Sequence, residues 1–125
     1  MKPIRLLIAD DNKEFCSLLQ EFFDKQSDIE LTGIVSNGVE ALKMIKEMEP
    51  DVVVLDIIMP HLDGIGVLER LSENQFRPKI IMLTAFGQES MTQKSVQLGA
   101  DYFLLKPFDI DVLANRIRQL GNGLI

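Results

Sequence analysis

The sequence predicts an α/β fold in which helices cover both faces of a doubly wound, five-stranded parallel sheet. Short apolar runs alternate five times with longer segments of helical period, and this alternation is typical of parallel strands joined by crossover helices. Residues 52–55 and 80–83 are apolar at every position, as central strands covered on both faces require. The 125 residues have the length of one ordinary domain with its own core.

The strands are predicted at residues 4–9, 29–35, 52–55, 79–83 and 102–105. The second strand differs from the others. Its apolar residues Ile29, Leu31 and Val35 alternate with Glu30 and Thr32, so one of its faces is more polar. This pattern favours a position at an edge of the sheet.

The first helix is predicted at residues 13–25. Its residues Phe15, Leu18, Leu19 and Phe22 recur at i, i+3, i+4 and i+7, which predicts one apolar stripe facing the sheet. Cys16 is the only cysteine, and a single cysteine forms neither an internal disulfide nor a cysteine-based metal site. We therefore interpret Cys16 as a small apolar residue of this helix.

The remaining helices follow from the same period. Asn37 and Asp109 are predicted N-caps of the second and fifth helices. The second, third and fifth helices carry these apolar stripes: Leu42, Ile45 and Met48; Ile65, Leu68 and Leu71; and Ile110, Leu113, Ile117 and Leu120. The fourth helix, residues 88–98, offers only Met91, Val96 and Leu98, with Gly99 at the place of a left-handed C-cap. A helix with so few apolar residues either moves, is covered by a partner or is simply solvated.

Composition excludes several classes of function. The net charge of -6 opposes binding to a phosphate backbone, so we expect no nucleic-acid binding by this domain itself. No apolar run approaches the roughly 20 residues of a membrane span, and the N-terminus has no signal-peptide pattern. These observations predict a cytoplasmic protein without a membrane partner.

Polar residues stand at the ends of four of the five predicted strands. Asp10 and Asp11 follow the first strand, Asp56 the third, Thr84 the fourth and Lys106 the fifth. Each could have a local role, such as a helix cap, a turn hydroxyl or a solvated surface lysine. The carboxyl ends of parallel strands, however, lie at one edge of the sheet, where such folds place their reactive groups.

Three carboxylates at one edge repel each other, by about 4 kcal/mol for a pair about 4 Å apart at an effective dielectric of 20. Either one of them stays protonated or a cation neutralises them. Mg²⁺ suits carboxylates combined with waters and phosphate oxygens, and Mn²⁺ or Ca²⁺ could replace it. A metal opposite the Lys106 ammonium would create the electrostatic arrangement that phosphoryl transfer needs, with an aspartate as the nucleophile that forms an acyl phosphate.

These residues and their neighbours resemble the bacterial response-regulator receiver family. The matching motifs are Asp10-Asp11, Asp56 with Met59-Pro60 and Asp63-Gly64, Thr84-Ala85, and Lys106-Pro107-Phe108. The resemblance spans essentially the whole chain. It implies a flavodoxin-like strand order 2-1-3-4-5, phosphorylation of Asp56, and a transient signalling switch rather than a turnover enzyme, with self-catalysed phosphorylation and slow self-dephosphorylation.

The resemblance also implies roles for individual residues. Asp11 and Asp56 would ligate Mg²⁺ directly, Asp10 mainly through water, and Ile58 through its backbone carbonyl. Lys106 and Thr84 would contact the phosphoryl oxygens. Phe103 would be the aromatic residue that turns inward with Thr84, with plain core packing as the alternative, and Pro107 would follow a cis peptide bond. His61, without a second histidine nearby, is interpreted as a surface loop residue.

A narrower resemblance concerns residues 57–64 and 83–89, which are similar to the receiver half of sporulation transcription factors with a C-terminal DNA-binding domain. It implies a phosphorelay, with a histidine kinase or histidine phosphotransferase as donor, a phosphatase as a further partner and homodimerisation on phosphorylation. Residues 1–120 would form the receiver and 121–125 the start of a linker or a frayed terminus.

Three other functions remain open. A free-standing phosphorelay receiver would need no effector domain. A magnesium-dependent phosphatase of the haloacid dehalogenase type would also use Asp56, but it requires a second aspartate where Ile58 stands. A flavin-binding module would require a hydroxyl-rich loop where Asp10 and Asp11 stand.

Overall fold

The computed structural model describes residues 2–71 and 76–125. Their strands form one parallel sheet in the order β2-β1-β3-β4-β5, which confirms the doubly wound fold. The elements are β1 Ile4–Ala9, α1 Lys13–Asp24, β2 Ile29–Val35, α2 Gly38–Met48, β3 Val52–Asp56, α3 Gly64–Leu71, β4 Lys79–Thr84, α4 Glu89–Gln97, β5 Tyr102–Leu105 and α5 Ile110–Gly121. As predicted, β2 lies at an edge.

Two apolar cores lie on the two faces of the sheet, because successive strand residues point to opposite sides. Leu6 and Ile8 of β1 face the core formed with α1 and α5. Leu7 and Ala9 of the same strand face the core formed with α2 and α3. The central strands β1, β3 and β4 are therefore buried on both sides, and their carboxyl ends are held in a fixed register.

The predicted stripe of α1 is only partly correct. Leu19 is fully buried, but Leu18 is 56% exposed, and Cys16 and Phe23 are buried instead. The Cys16 thiol donates a hydrogen bond to the Asp10 carbonyl oxygen, with Sγ and O 3.3 Å apart. The buried face of α1 is therefore rotated toward the loop after β1, and Cys16 is a core residue, as interpreted from the sequence.

Side-chain caps fix the starts of α1, α2 and α3; at α3, Asp63 Oδ1 accepts a hydrogen bond from the Gly66 amide at 2.8 Å. Asn37 Oδ1 accepts a hydrogen bond from the Glu40 amide at 2.9 Å, which confirms this N-cap. Asn12, which the sequence prediction missed, caps α1 through the Phe15 amide at 3.0 Å. Asp109 precedes α5 but makes no capping side-chain hydrogen bond.

Helix α4 has no buried apolar residue. Its only buried residue is Ser95, and Val96 is 49% exposed. Gly99 follows it with φ +99°, the left-handed conformation predicted for this position. Within residues 2–71 and 76–125, no helix has both the length and the apolar composition needed to cross a membrane.

Candidate phosphoryl-acceptor and metal site

Three carboxylates meet at the carboxyl edge of the sheet. Asp10 and Asp11 follow β1, Asp56 is the last residue of β3, and one oxygen of each lies within 4.8 Å of the others. Asp10 and Asp56 are buried, with 1% and 9% exposure, whereas Asp11 is exposed. The pairing of β1 with β3 brings these chain-distant residues together.

Lys106, after β5, lies between the two buried carboxylates. Its Nζ is 3.0 Å from Asp10 Oδ2 and 3.2 Å from Asp56 Oδ2. The ammonium also lies 5.0 Å from the centre of the Phe15 ring, and that ring packs edge-on against Phe108. Sequence reasoning expected Lys106 to face an incoming phosphoryl group, but it missed that the ammonium neutralises the two carboxylates directly.

Backbone amides also donate hydrogen bonds to the two buried carboxylates. The Asn12 amide donates to Asp10 Oδ1 at 2.9 Å, and the Ile58 amide donates to Asp56 Oδ1 at 3.4 Å. Asp10 is thus held from both oxygens, by Asn12 and by Lys106. Asp56 has the longer bonds, so its oxygens are the less firmly occupied.

The environment disfavours negative charge on Asp56. Burial and the nearby charge of Asp10 raise the pKa of Asp56 to about 6, although Lys106 and the Ile58 amide act in the opposite direction. Burial works against the charge of Lys106, but its hydrogen bond to Asp10 and the charge of Asp56 raise its pKa overall. Burial and the charge of Asp10 also raise the pKa of the Cys16 thiol to about 11, so this thiol stays protonated at neutral pH.

The donor set fits a hard divalent cation. The cluster consists of carboxylates alone, and oxygen ligands are those that Mg²⁺ prefers. A cation there would offset the mutual repulsion and the burial cost that raise the pKa of Asp56. The Ile58 side chain is half-exposed in the loop beyond Asp56, where its carbonyl remains a predicted ligand.

The start of α3 packs closely against the backbone at the end of β3. A Cβ on Gly64 would lie 2.5 Å from the Asp56 carbonyl oxygen, and the Gly64 amide donates to the Ile57 carbonyl at 2.8 Å. Only glycine fits so near to the strand end. His61 lies exposed in this same loop with φ +67°, as a surface residue.

The two predicted switch residues lie beside α4. Thr84 is buried at the end of β4, and its Oγ1 lies 2.6 Å from Thr92 Oγ1 of α4. Phe103 is 48% exposed, so core packing, the alternative for this residue, is wrong. Both line an open groove of about 720 Å³ beside α4, together with Val96 and Leu105. The Lys106-Pro107 peptide bond is cis.

Sequence reasoning missed four residues around the site. The Asn12 backbone amide contacts Asp10, the Phe15 ring lies near the Lys106 ammonium, and the side chains of Gln88 and Thr92 contact Thr84. A polar residue at the start of a helix was a signal available for Asn12. No sequence signal distinguished Gln88 or Thr92 from solvated residues of a polar helix.

This combination of fold and acidic edge defines a class of signalling domain. The family model of the response regulator receiver domain matches residues 6–118, and the chain belongs to this family. Receiver domains are signalling switches of two-component systems. They interact in general with histidine kinases or phosphotransferases, and they bind Mg²⁺ at an aspartate cluster such as the one present here.

Solved structures agree with this assignment. The chain is similar to the response regulator domain of Thermotoga maritima CheB, with 30% identity, a TM-score of 0.85, and coverage of 97% of this chain and 98% of that one. The receiver domain of the Francisella response regulator 1452 shares 32% identity, with a TM-score of 0.86 and coverage of 97% and 98%. A LuxR-family DNA-binding response regulator from Staphylococcus aureus shares 30%, with a TM-score of 0.87 and coverage of 94% and 98%.

Proposed function

We propose that Asp56 accepts a phosphoryl group from a phosphohistidine of a partner protein and thereby switches the surface around α4 and β5. The observation that carries this proposal is the convergence of Asp10, Asp11 and Asp56, with oxygens within 4.8 Å, around a lysine that contacts two of them. One Asp56 oxygen would attack phosphorus while the P–N bond breaks and the imidazole leaves with the electron pair. The product is an acyl phosphate on Asp56.

Mg²⁺ would be held by Asp11 and Asp56 directly, by Asp10 through water and by the Ile58 carbonyl. When bound, it would supply positive charge to the phosphoryl oxygens. Lys106 would supply the second positive charge from the opposite side, because its ammonium already lies 3.2 Å from Asp56 Oδ2. Self-catalysed transfer would need only the metal, Lys106 and a positioned phosphodonor. Slow hydrolysis would need the same groups and a positioned water.

Thr84 would report the phosphorylation. Its hydroxyl now faces α4 and would turn to donate to a phosphoryl oxygen, while Phe103 would turn into the groove beside it. The groove and the half-exposed Phe103 support this proposal, because they leave room for the ring to move. The altered surface would then bind a partner or a second copy of the domain.

The partners belong to the proposal as well. The donor would be a histidine kinase or histidine phosphotransferase in the cytoplasm, where ATP supplies the phosphoryl group, and a phosphatase would remove it. Residues 1–120 would form the receiver and residues 121–125 the start of a linker or a frayed terminus, with Gly121 still the last residue of α5. The acidic net charge of -6 supports the absence of nucleic-acid binding by this domain.

The finer proposal concerns the regulated process. Residues 57–64 and 83–89 resemble the receiver half of stage zero sporulation protein A, so we propose control of sporulation-type transcription through a C-terminal DNA-binding domain. A free-standing phosphorelay receiver is the alternative. The reading frame beyond Ile125 discriminates them: a DNA-binding domain there supports the transcription factor, and a stop codon there supports the free-standing receiver.

The phosphoryl-transfer proposal is tested with acetyl phosphate and Mg²⁺. Acid-labile phosphate should appear on the wild type and on Asp24→Asn, a control at an exposed position, but not on Asp56→Asn or in the presence of EDTA. Equal labelling of Asp56→Asn would contradict the proposal. Sustained turnover of a generic phosphate ester would instead favour the phosphatase.

A further inference from the structure

A chain of hydroxyl groups connects the end of β4 to α4. Thr84 Oγ1 lies 2.6 Å from Thr92 Oγ1, and Thr92 Oγ1 lies 2.9 Å from the Gln88 carbonyl oxygen, to which it donates. A threonine hydroxyl has one hydrogen. Because the Thr92 hydrogen goes to the Gln88 carbonyl, Thr84 is the donor in the short bond to Thr92.

The Gln88 side chain adds a second contact between the start of α4 and the end of β4. Its Oε1 accepts a hydrogen bond from the Ala85 amide at 2.8 Å and lies 3.5 Å from Thr84 Oγ1. Gln88 precedes α4 but does not cap it with its side chain. Its amide group is instead turned back over the residue that follows Thr84.

These polar contacts matter because α4 has few apolar ones, with Met91 packed only partly buried against the core. Ser95 is its only buried residue, and the Ser95 hydroxyl donates to the Thr92 carbonyl at 2.6 Å. The loop before α4 contains Gly87 with φ +91°, where an added Cβ would meet nothing within 4 Å. The hydroxyl chain is therefore a principal attachment of the first turn of α4 to the sheet.

We propose that Thr92 and Gln88 are positioning residues that form a latch, holding the Thr84 hydroxyl toward α4 and away from Asp56. This inference rests on the proposed function, in which Thr84 donates to a phosphoryl oxygen. The single Thr84 hydrogen serves one strong acceptor at a time, so donation to the phosphoryl group breaks the bond to Thr92. The latch thus opposes switching and couples Asp56 to the position of α4.

Removing the latch acceptor should favour the switched arrangement. Thr92→Val keeps the branched shape but lacks the hydroxyl. The net contribution of one hydrogen bond corresponds to about a twofold to tenfold change in an equilibrium, so we expect labelling by acetyl phosphate to be about twofold to tenfold faster. Thr92→Ser should restore the wild-type rate, and Ser90→Ala, at an exposed hydroxyl of the same helix, should leave it unchanged.

A second measurement does not depend on phosphorylation. In the unphosphorylated protein, Gln88→Met removes the acceptor of the Ala85 amide, so hydrogen exchange at Ala85 should be about twofold to tenfold faster than in the wild type or in Ser90→Ala. Thr92→Val should likewise accelerate exchange in the first turn of α4.

The outcomes separate the two proposals. If the wild type is labelled and Thr92→Val matches Ser90→Ala in labelling rate, or if Thr92→Ser behaves like Thr92→Val, the latch is wrong. If the wild type takes no phosphoryl group, the proposed function is wrong, and the role of the latch in switching is wrong with it. In that case the hydrogen-exchange rates test only whether the Thr92 and Gln88 contacts hold α4.

Discussion

Replacing Asp56 by asparagine should stabilise the metal-free protein at neutral pH. The pKa of Asp56 is raised from 3.8 to about 6, first by burial and then by the charge of Asp10. Asparagine has nearly the same shape but carries no charge at any pH. The substitution leaves Lys106 its contact with Asp10 at 3.0 Å, so the ammonium is not left unpaired.

The sign and the size follow from proton linkage. Between about pH 4 and pH 6 the folded wild type binds a proton on Asp56 that the unfolded chain has lost, so its free energy of unfolding falls as pH rises. A shift from 3.8 to about 6 is about two pKa units, which corresponds to about 3 kcal/mol at pH 7 and above. The variant should therefore equal the wild type near pH 4 and exceed it by up to about 3 kcal/mol at pH 8.

Urea unfolding of both proteins in EDTA, at intervals from pH 4 to pH 8, measures this difference. Asp24→Asn, at an exposed position, is the control and should follow the wild type at each pH. A difference between Asp56→Asn and the wild type that does not change with pH, or that grows toward acid, would refute the reasoning. Saturating Mg²⁺ should raise the stability of the wild type and reduce the difference.

Three further predictions concern the metal and the packing. Mg²⁺ should raise the melting temperature of the wild type but not of Asp11→Ala; an equal rise in both, measured by thermal unfolding, would remove Asp11 from the metal site. Leu19→Ala should cost about 2–5 kcal/mol of unfolding free energy, whereas Leu18→Ala should cost less than about 0.5 kcal/mol; equal losses in urea unfolding would contradict the burial of α1. Gly38→Ala should cost about 1–3 kcal/mol, because the new Cβ would lie 2.2 Å from the Leu62 carbonyl oxygen, and more than Gly33→Ala, where only the Met44 methyl end is close; the reverse order would contradict this packing.

The sequence was sufficient for the sheet and the acidic edge because both depend on local pattern. Fully apolar runs identified β3 and β4, and the alternation of polar residues identified β2 as an edge strand, as the strand order confirms. Asp10, Asp11 and Asp56 could be expected to meet because parallel strands end at one edge. None of these expectations required knowledge of side-chain contacts.

The errors concern the orientation of helices and of individual side chains. The apolar residues of α1 fit a helical stripe through Phe15, Leu18 and Phe22 or a neighbouring one through Cys16, Leu19 and Phe23. The second stripe is the buried one. The contact of Cys16 with the Asp10 carbonyl belongs to it and leaves Leu18 exposed. Lys106 was expected at the acidic edge, as found, but its direct ion pairs with Asp10 and Asp56 were not predicted. The Coulomb attraction of two buried carboxylates turns Lys106 inward, and this attraction arises only once the sheet has formed.

The most direct test of the central claim is to locate the phosphoryl group on the protein. The wild type is phosphorylated with acetyl phosphate and Mg²⁺, reduced with borohydride, which converts an aspartyl phosphate to homoserine, and digested for peptide sequencing by mass spectrometry. We expect homoserine at position 56 and at no other aspartate. Homoserine at Asp10 or Asp11, or phosphate retained on His61, would contradict the account.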